Sequence, residues 1–276
     1  MSRVRNDARA PNGTRVGARA RAGGAGISAC AAVAAAALML SGPEAGAQPG
    51  GGPPSGPPPA PRQSAPIDLT GQWVAIVNED WRWRMVTPPP GDYASVPLNQ
   101  EGRRVADQWQ PSQDGACEAY GAAGLLRMPL RLRISWESDD VLKIETDAGQ
   151  QIRRLRFGSG EPGDRTLQGH SVAEWVRTGG GPGPRAGGPR PIGGHLKVTT
   201  TSMLPGWLRR NGVPYSESAV LTEHFDRFAA PNGDEWLMVT AIVEDPRYLT
   251  QPYVTSSHFK LETDPSGWNP EPCGTK

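Results

Sequence analysis

From Leu125 onward, apolar and polar residues alternate with a period of two along most of the chain. That is the mark of strands with one buried and one wetted face. Leu130, Leu132, Ile134 and Trp136 interleave with Arg131, Arg133 and Ser135. Ser138-Asp139-Asp140 turns the chain into 141–145, and Asp147-Ala148-Gly149 turns it again into 151–157. Short strands joined by tight polar turns make an antiparallel meander. Further strands are predicted over 170–177, 195–201, 218–228, 236–244 and 253–261, with Pro231-Asn232-Gly233-Asp234 a strong hairpin turn between two of them. Upstream, a strand opens at Ile67-Asp68-Leu69-Thr70-Gly71-Gln72-Trp73 and runs to Val77. Trp81-Arg82-Trp83-Arg84-Met85 alternates strictly and predicts another, half-buried on its Trp81, Trp83 and Met85 side, before Pro88-Pro89-Pro90-Gly91-Asp92 breaks it. One helix stands out over 100–109, with Asn99 as N-cap, Val105, Ala106 and Trp109 on a shared face, and Pro111 as a stop.

About ten strands and one short helix, with no alternation of strand and helix, predict an all-β domain. The expected fold is an antiparallel up-and-down, lipocalin-like β-barrel of about 8–10 strands, because closure removes exposed sheet edges. A single domain is expected over 67–276, with a flexible Gly/Pro/Arg loop at 178–194.

The ends of the chain set its compartment. The first 47 residues hold six Arg and no Lys, then an apolar run from Ile27 to Leu40, then Ala45-Gly46-Ala47. This pattern predicts a secretory signal peptide cleaved after Ala47, and the run is too short for a good membrane span. Residues 48–66, rich in Pro, Gly, Ser and Gln, predict a disordered linker. Without the leader's six Arg and two acidic residues, 23 basic residues face 26 acidic ones, a net charge near −3. That argues against nucleic acid, which selects a basic face. Cys117 and Cys273 then remain, and an oxidising compartment favours a disulfide between them. An exported protein, periplasmic or secreted and without a membrane span, is expected.

Candidate chemistry begins with 218–228. Ala219, Leu221, Glu223, Phe225 and Arg227 share the more apolar face, and a carboxylate on a core-facing row must be paired, protonated or used. Arg153 shares its face with Leu155 and Phe157, so two inward faces would bring Arg153 to Glu223, in a bidentate contact. Trp81, Trp83, Trp136 and Trp175 sit where alternation aims them inward, so a small apolar or aromatic ligand in the barrel interior is the expected partner. The rival is acid–base lyase or isomerase chemistry in the same cavity, with Glu223 as base and His170 or Tyr120 as acid. A weaker rival is a serine hydrolase using Ser171, Asp245 and His258, since Gly169-His170-Ser171-Val172-Ala173 approaches a nucleophile elbow. His170, His195, His224 and His258 show no short-range ligand spacing and no Gly-rich segment precedes a helix, so no metal or cofactor is expected.

Two resemblances bear on this. Gly71-Gln72-Trp73 resembles the first-strand Gly-x-Trp of lipocalin and calycin barrels, which implies that Trp73 closes the barrel floor. From Arg127 onward the chain also resembles a set of uncharacterised secreted bacterial β proteins. The residues that carry this are Arg153 and Leu155, Gly169-His170-Ser171 with Trp175, Pro214, Ser216 and Glu217, Glu223 with Phe225, and Asp245-Pro246. His224 stands where that pattern has Arg, Tyr215 where His is common, and the Gly-rich insertion replaces a tight turn after Trp175. The resemblance implies a fold and a compartment, and no activity.

Overall fold

The computed structural model describes residues 57–110, 112, 117–158, 160–179 and 193–273. The expected signal peptide, the first part of the linker and most of the Gly-rich loop lie outside them.

Nine strands close into a barrel: β1 (Gly71–Ile76), β2 (Arg131–Trp136), β3 (Val141–Thr146), β4 (Ile152–Phe157), β5 (His170–Thr178), β6 (Gly193–Thr201), β7 (Val220–Ala229), β8 (Glu235–Glu244) and β9 (Tyr253–Glu262). Each pairs with its neighbours in sequence, and β9 returns to β1, with Trp73 opposite Leu261 on one side and Leu132 on the other. Every pairing is antiparallel except β4 with β5, where Leu155 meets Ser171 and Phe157 meets Ala173 in parallel. The purely antiparallel expectation is therefore corrected: the barrel is mixed. The reason is parity. Nine strands that strictly alternate in direction cannot close on themselves, so one neighbouring pair must run parallel, and the connection from Gly158 to Gly169 provides the return.

The interior is filled. Trp73, Leu132, Ile134, Leu142, Ile144, Leu155, Leu196, Val198, Phe225, Leu237, Val239 and Phe259 are all buried and form one core. These are the inward residues that the period-two pattern selects.

One end is closed by a strap. Residues 57–66, expected as the end of a disordered linker, instead make a turn and bond to the wall. Trp175 Nε1 donates to the Pro61 carbonyl at 2.9 Å, Arg62 N to the Asp139 carbonyl at 3.0 Å, and Arg177 to the Ser64 carbonyl. Farther along, Trp73 Nε1 donates to the Leu69 carbonyl at 3.0 Å, and Arg227 donates to the Asp68 carbonyl with its guanidinium 5.7 Å from the Trp73 ring. A Pro-rich segment attaches mainly through backbone carbonyls, which leaves no periodic signal in its side chains.

The other end carries a second core. Tyr93, Val96, Leu98, Ala106, Met203, Leu208, Val213, Tyr215, Leu249 and Tyr253 cluster there. A short helix α1 (Trp81–Arg84) lies beside it, and the core itself draws on α2 (Gln100–Asp107), α3 (Ala122–Leu125) and a small hairpin of Gly206–Arg209 with Val213–Tyr215. Helix α2 is the expected one, and Asn99 Oδ1 accepts from Gly102 N at 2.8 Å. Helix α1 replaces the strand expected at 81–85. Trp81 and Met85 are exposed rather than buried, while Arg84 turns inward and is held by Glu79 and the Arg127 carbonyl. Five alternating residues fit one helical turn as well as a strand, and here the buried arginine decides between them.

Cys117 and Cys273 form the expected disulfide, which ties the C-terminal segment to the body. Beside it, Glu271–Pro272 pairs with Ala148–Gly149. Among the described residues no helix is long and apolar enough to cross a membrane.

Candidate functional site

Arg153 on β4 and Glu223 on β7 both point into the barrel and meet, as their strand parity requires. Arg153 Nη1 donates to Glu223 Oε1 at 3.0 Å and Nη2 to Oε2 at 2.6 Å, with both residues at most 1 % exposed. Thr200 Oγ1 lies 3.3 Å from the same Nη2 and 2.8 Å from Ser171 Oγ. Both carboxylate oxygens are thus taken by one guanidinium. None of the described cavities opens onto this pair. It is a bidentate buried ion pair set in an apolar core, with Arg153 Nε left without a hydrogen-bond partner.

The other expected site residues are dispersed. Trp136 and Trp175 do aim inward, each about one ring from Phe157, with centroids 5.6 and 5.5 Å apart. Both pack against the core, and Trp175 also bonds the strap. Arg227 holds the strap and Glu235. His170 lines an outer cleft of about 620 Å³, between the Gly163–Ser171 side of the β4–β5 connection and the outward residues of β4. Tyr120 packs its ring over Gly149, at a position with φ +76° where a Cβ would lie 2.3 Å from the ring. Neither hydrogen-bonds to Glu223.

The serine-hydrolase arrangement is also absent. Ser171 points inward from the middle of the sheet to Thr200. Asp245 accepts from Ser216 N at 2.6 Å and from Ser216 Oγ at 2.8 Å. His258 Nδ1 donates to Glu79 Oε2 at 3.0 Å. The sequence order of the three residues brings no two of them together.

The site that sequence reasoning missed lies in the cap, where α1, α3 and the small hairpin meet. Arg84, Arg127 and Arg209 are all buried there, at 3, 7 and 4 % exposure. Arg84 pairs with Glu79, and Arg127 Nη2 pairs with Asp80 Oδ2 at 2.9 Å. Asp80 reaches that position from a left-handed backbone conformation, φ 53°, at the start of α1. Arg209 has no such partner. Its Nε, Nη1 and Nη2 are all buried without a hydrogen bond, as are Arg84 Nη2 and Arg127 Nη1. Its guanidinium stands 4.8 Å from the centroid of the Trp83 ring.

Arg84 and Arg127 face the carboxylates of Glu79 and Asp80, and Arg210 also borders the cluster. Burial, the largest influence, makes Arg84 less basic than an ordinary arginine; Glu79 opposes this and neighbouring Arg127 adds to it. A cavity of about 20 Å³ lies among Trp83, Arg84, Arg127, Met128, Trp207 and Arg209. That admits about one water-sized group. Its back wall is tightly packed: a Cβ on Gly124 would lie 2.5 Å from the Trp207 carbonyl oxygen.

Such a site can hold an anion. An unpartnered buried charge costs several kcal/mol, and buried polar groups without partners call for an explanation. Guanidinium groups suit carboxylate and phosphate oxygens because their N–H groups form a planar fork. The sequence offered one hint, Trp83, which does border the site, although not within the barrel. Arg84 and Arg209 fall on four-residue elements and Arg127 just after another, too short for pattern to show which side chains turn inward. No protein-family model and no curated protein matches the chain, so the functional reading rests on this geometry.

Proposed function

We propose that this protein is an exported barrel that binds a small anionic molecule in its helical cap, with the negative group seated on Arg209 between Trp83 and Trp207. The observation that carries the reading is the Arg209 side chain, buried, with all three guanidinium nitrogens unpartnered. Trp83, Trp207 and Met128 provide apolar walls for the atoms attached to the negative group. The protein's role in this reading is binding rather than turnover. The cluster supplies charge and donors but no unpaired carboxylate or histidine able to move a proton.

Export accords with the leader pattern and with the disulfide. A calycin-like build draws support from Trp73, fully buried where the strap closes the barrel, while the parallel β4–β5 pair departs from that build.

The test is calorimetric titration of the mature chain with acetate, benzoate and inorganic phosphate, each against wild type and Arg209→Met. Saturable binding of at least one carboxylate by wild type, lost in Arg209→Met, is the expected result. Absence of binding for all three, or binding unchanged in Arg209→Met, would overturn the reading.

A further inference from the structure

Two histidines on the outside of the barrel wall, far from any role above, meet at a distance suited to a shared metal ion. His195 lies on β6 and His224 on β7, both among the outward, half-buried residues of their strands. The antiparallel register sets His224 opposite Lys197 and Phe225 opposite Leu196. His195 and His224 are therefore diagonal neighbours on one face. His224 Nδ1 stands 3.1 Å from His195 Nε2, the rings 5.1 Å apart between centroids and tilted by 56°.

That separation can be compared with metal geometry. Two imidazole nitrogens bound at about 2.0–2.1 Å to one ion stand about 2.9 Å apart at a right angle and about 3.4 Å apart at the tetrahedral angle. The observed distance falls between the two. The alternative is a hydrogen bond between neutral rings, which puts a proton where the ion would sit.

Both side chains rise from strands paired within the closed barrel, His195 opposite Val176 and His224 opposite Lys197, which hold them at that separation. Among the described residues no group of three or more His, Cys, Asp or Glu side chains could hold an ion. The protein would thus supply two ligands and leave the remaining coordination positions open.

We infer that His195 and His224 form a two-histidine site for a divalent first-row ion, with Cu²⁺ held more tightly than Ni²⁺ or Zn²⁺, and with open positions for water or a small ligand. The order follows from the general affinity series for nitrogen sites.

The experiment uses the mature, tag-free chain stripped of metal and titrated with Cu²⁺, Ni²⁺ and Zn²⁺ separately by calorimetry. Wild type is compared with His195→Ala, His224→Ala, the double variant, and His170→Ala and His258→Ala as controls. One ion per chain is expected, weakened about tenfold or more by either single substitution, since even loss of an outer partner of a metal ligand typically costs that much. The controls should bind as wild type does. Should an alanine variant misfold, histidine ring signals of wild type under substoichiometric Cu²⁺ decide the matter: selective broadening of His195 and His224 supports the site. No saturable uptake, uptake surviving in the double variant, or broadening centred on His170 or His258 would overturn it, leaving the contact as a hydrogen bond.

Discussion

Replacing Glu223 by Leu should leave the Arg153 guanidinium buried without a counter-charge. Both groups are at most 1 % exposed and joined by two hydrogen bonds, and Thr200 alone cannot compensate a guanidinium. Breaking a buried pair from one side costs about 3–5 kcal/mol, whereas replacing both partners by apolar groups is often neutral or better. Glu223→Leu and Arg153→Met are therefore each expected to lose about 3–5 kcal/mol, and the double variant far less than their sum. For a domain of this size that corresponds to a fall of roughly 6–20 °C in Tm for either single variant. Urea unfolding followed by tryptophan fluorescence and by circular dichroism, with the disulfide intact, gives all corners of the cycle. A double variant as unstable as the sum of the singles would refute the structural role of the pair. So would a Glu223→Leu variant within about 1 kcal/mol of wild type. A further variant separates structure from binding: Glu223→Gln, if folded, should take up anions as wild type does.

Other consequences can be checked as readily. Tyr215 is fully buried with an unpartnered hydroxyl, and burial pushes its ionisation well above the usual phenol range; Tyr215→Phe should be neutral or slightly stabilising in urea, and a loss above about 1.5 kcal/mol would point to a hidden partner. The Cys117–Cys273 bridge spans a sequence separation of 156, so reduction should cost about 2–5 kcal/mol, read as a lower urea midpoint in reductant. His224 has a lowered folded-state pKa, so the unfolded chain binds its proton more readily and stability should fall as pH drops below about 6.5. The charged and titratable groups facing it are His195, Lys197 and Asp226, and His224→Gln should flatten that part of the profile; an unchanged slope would assign it elsewhere.

Much of the barrel was legible because its strands alternate. The expected strands over 130–136, 141–145, 151–157, 195–201 and 236–244 all fall on observed ones, and the same parity placed Arg153 and Glu223 on facing inward rows. What failed had no such regularity. The parallel β4–β5 pair follows from an odd strand number, which becomes visible only once the count is fixed at nine. The long gap between Phe157 and His170, with no tight hairpin turn, was the available sign. Trp81–Met85 was misread because five residues do not separate a period of two from a single helical turn. The arginine cluster draws its three members from α1, from the segment after α3 and from the small hairpin, elements too short for their inward faces to be read from pattern. Only assembly shows that Arg209 lacks the partner that Arg84 and Arg127 have.

The most direct measurement is the stability of wild type and Arg209→Met with and without a carboxylate. Without it, removing a buried and unpartnered charge should raise stability by about 1–4 kcal/mol. With saturating acetate or benzoate, whichever binds, wild type should gain stability and Arg209→Met should not. A variant less stable than wild type in both conditions, together with a wild-type midpoint indifferent to carboxylate, would contradict an anion site in the cap.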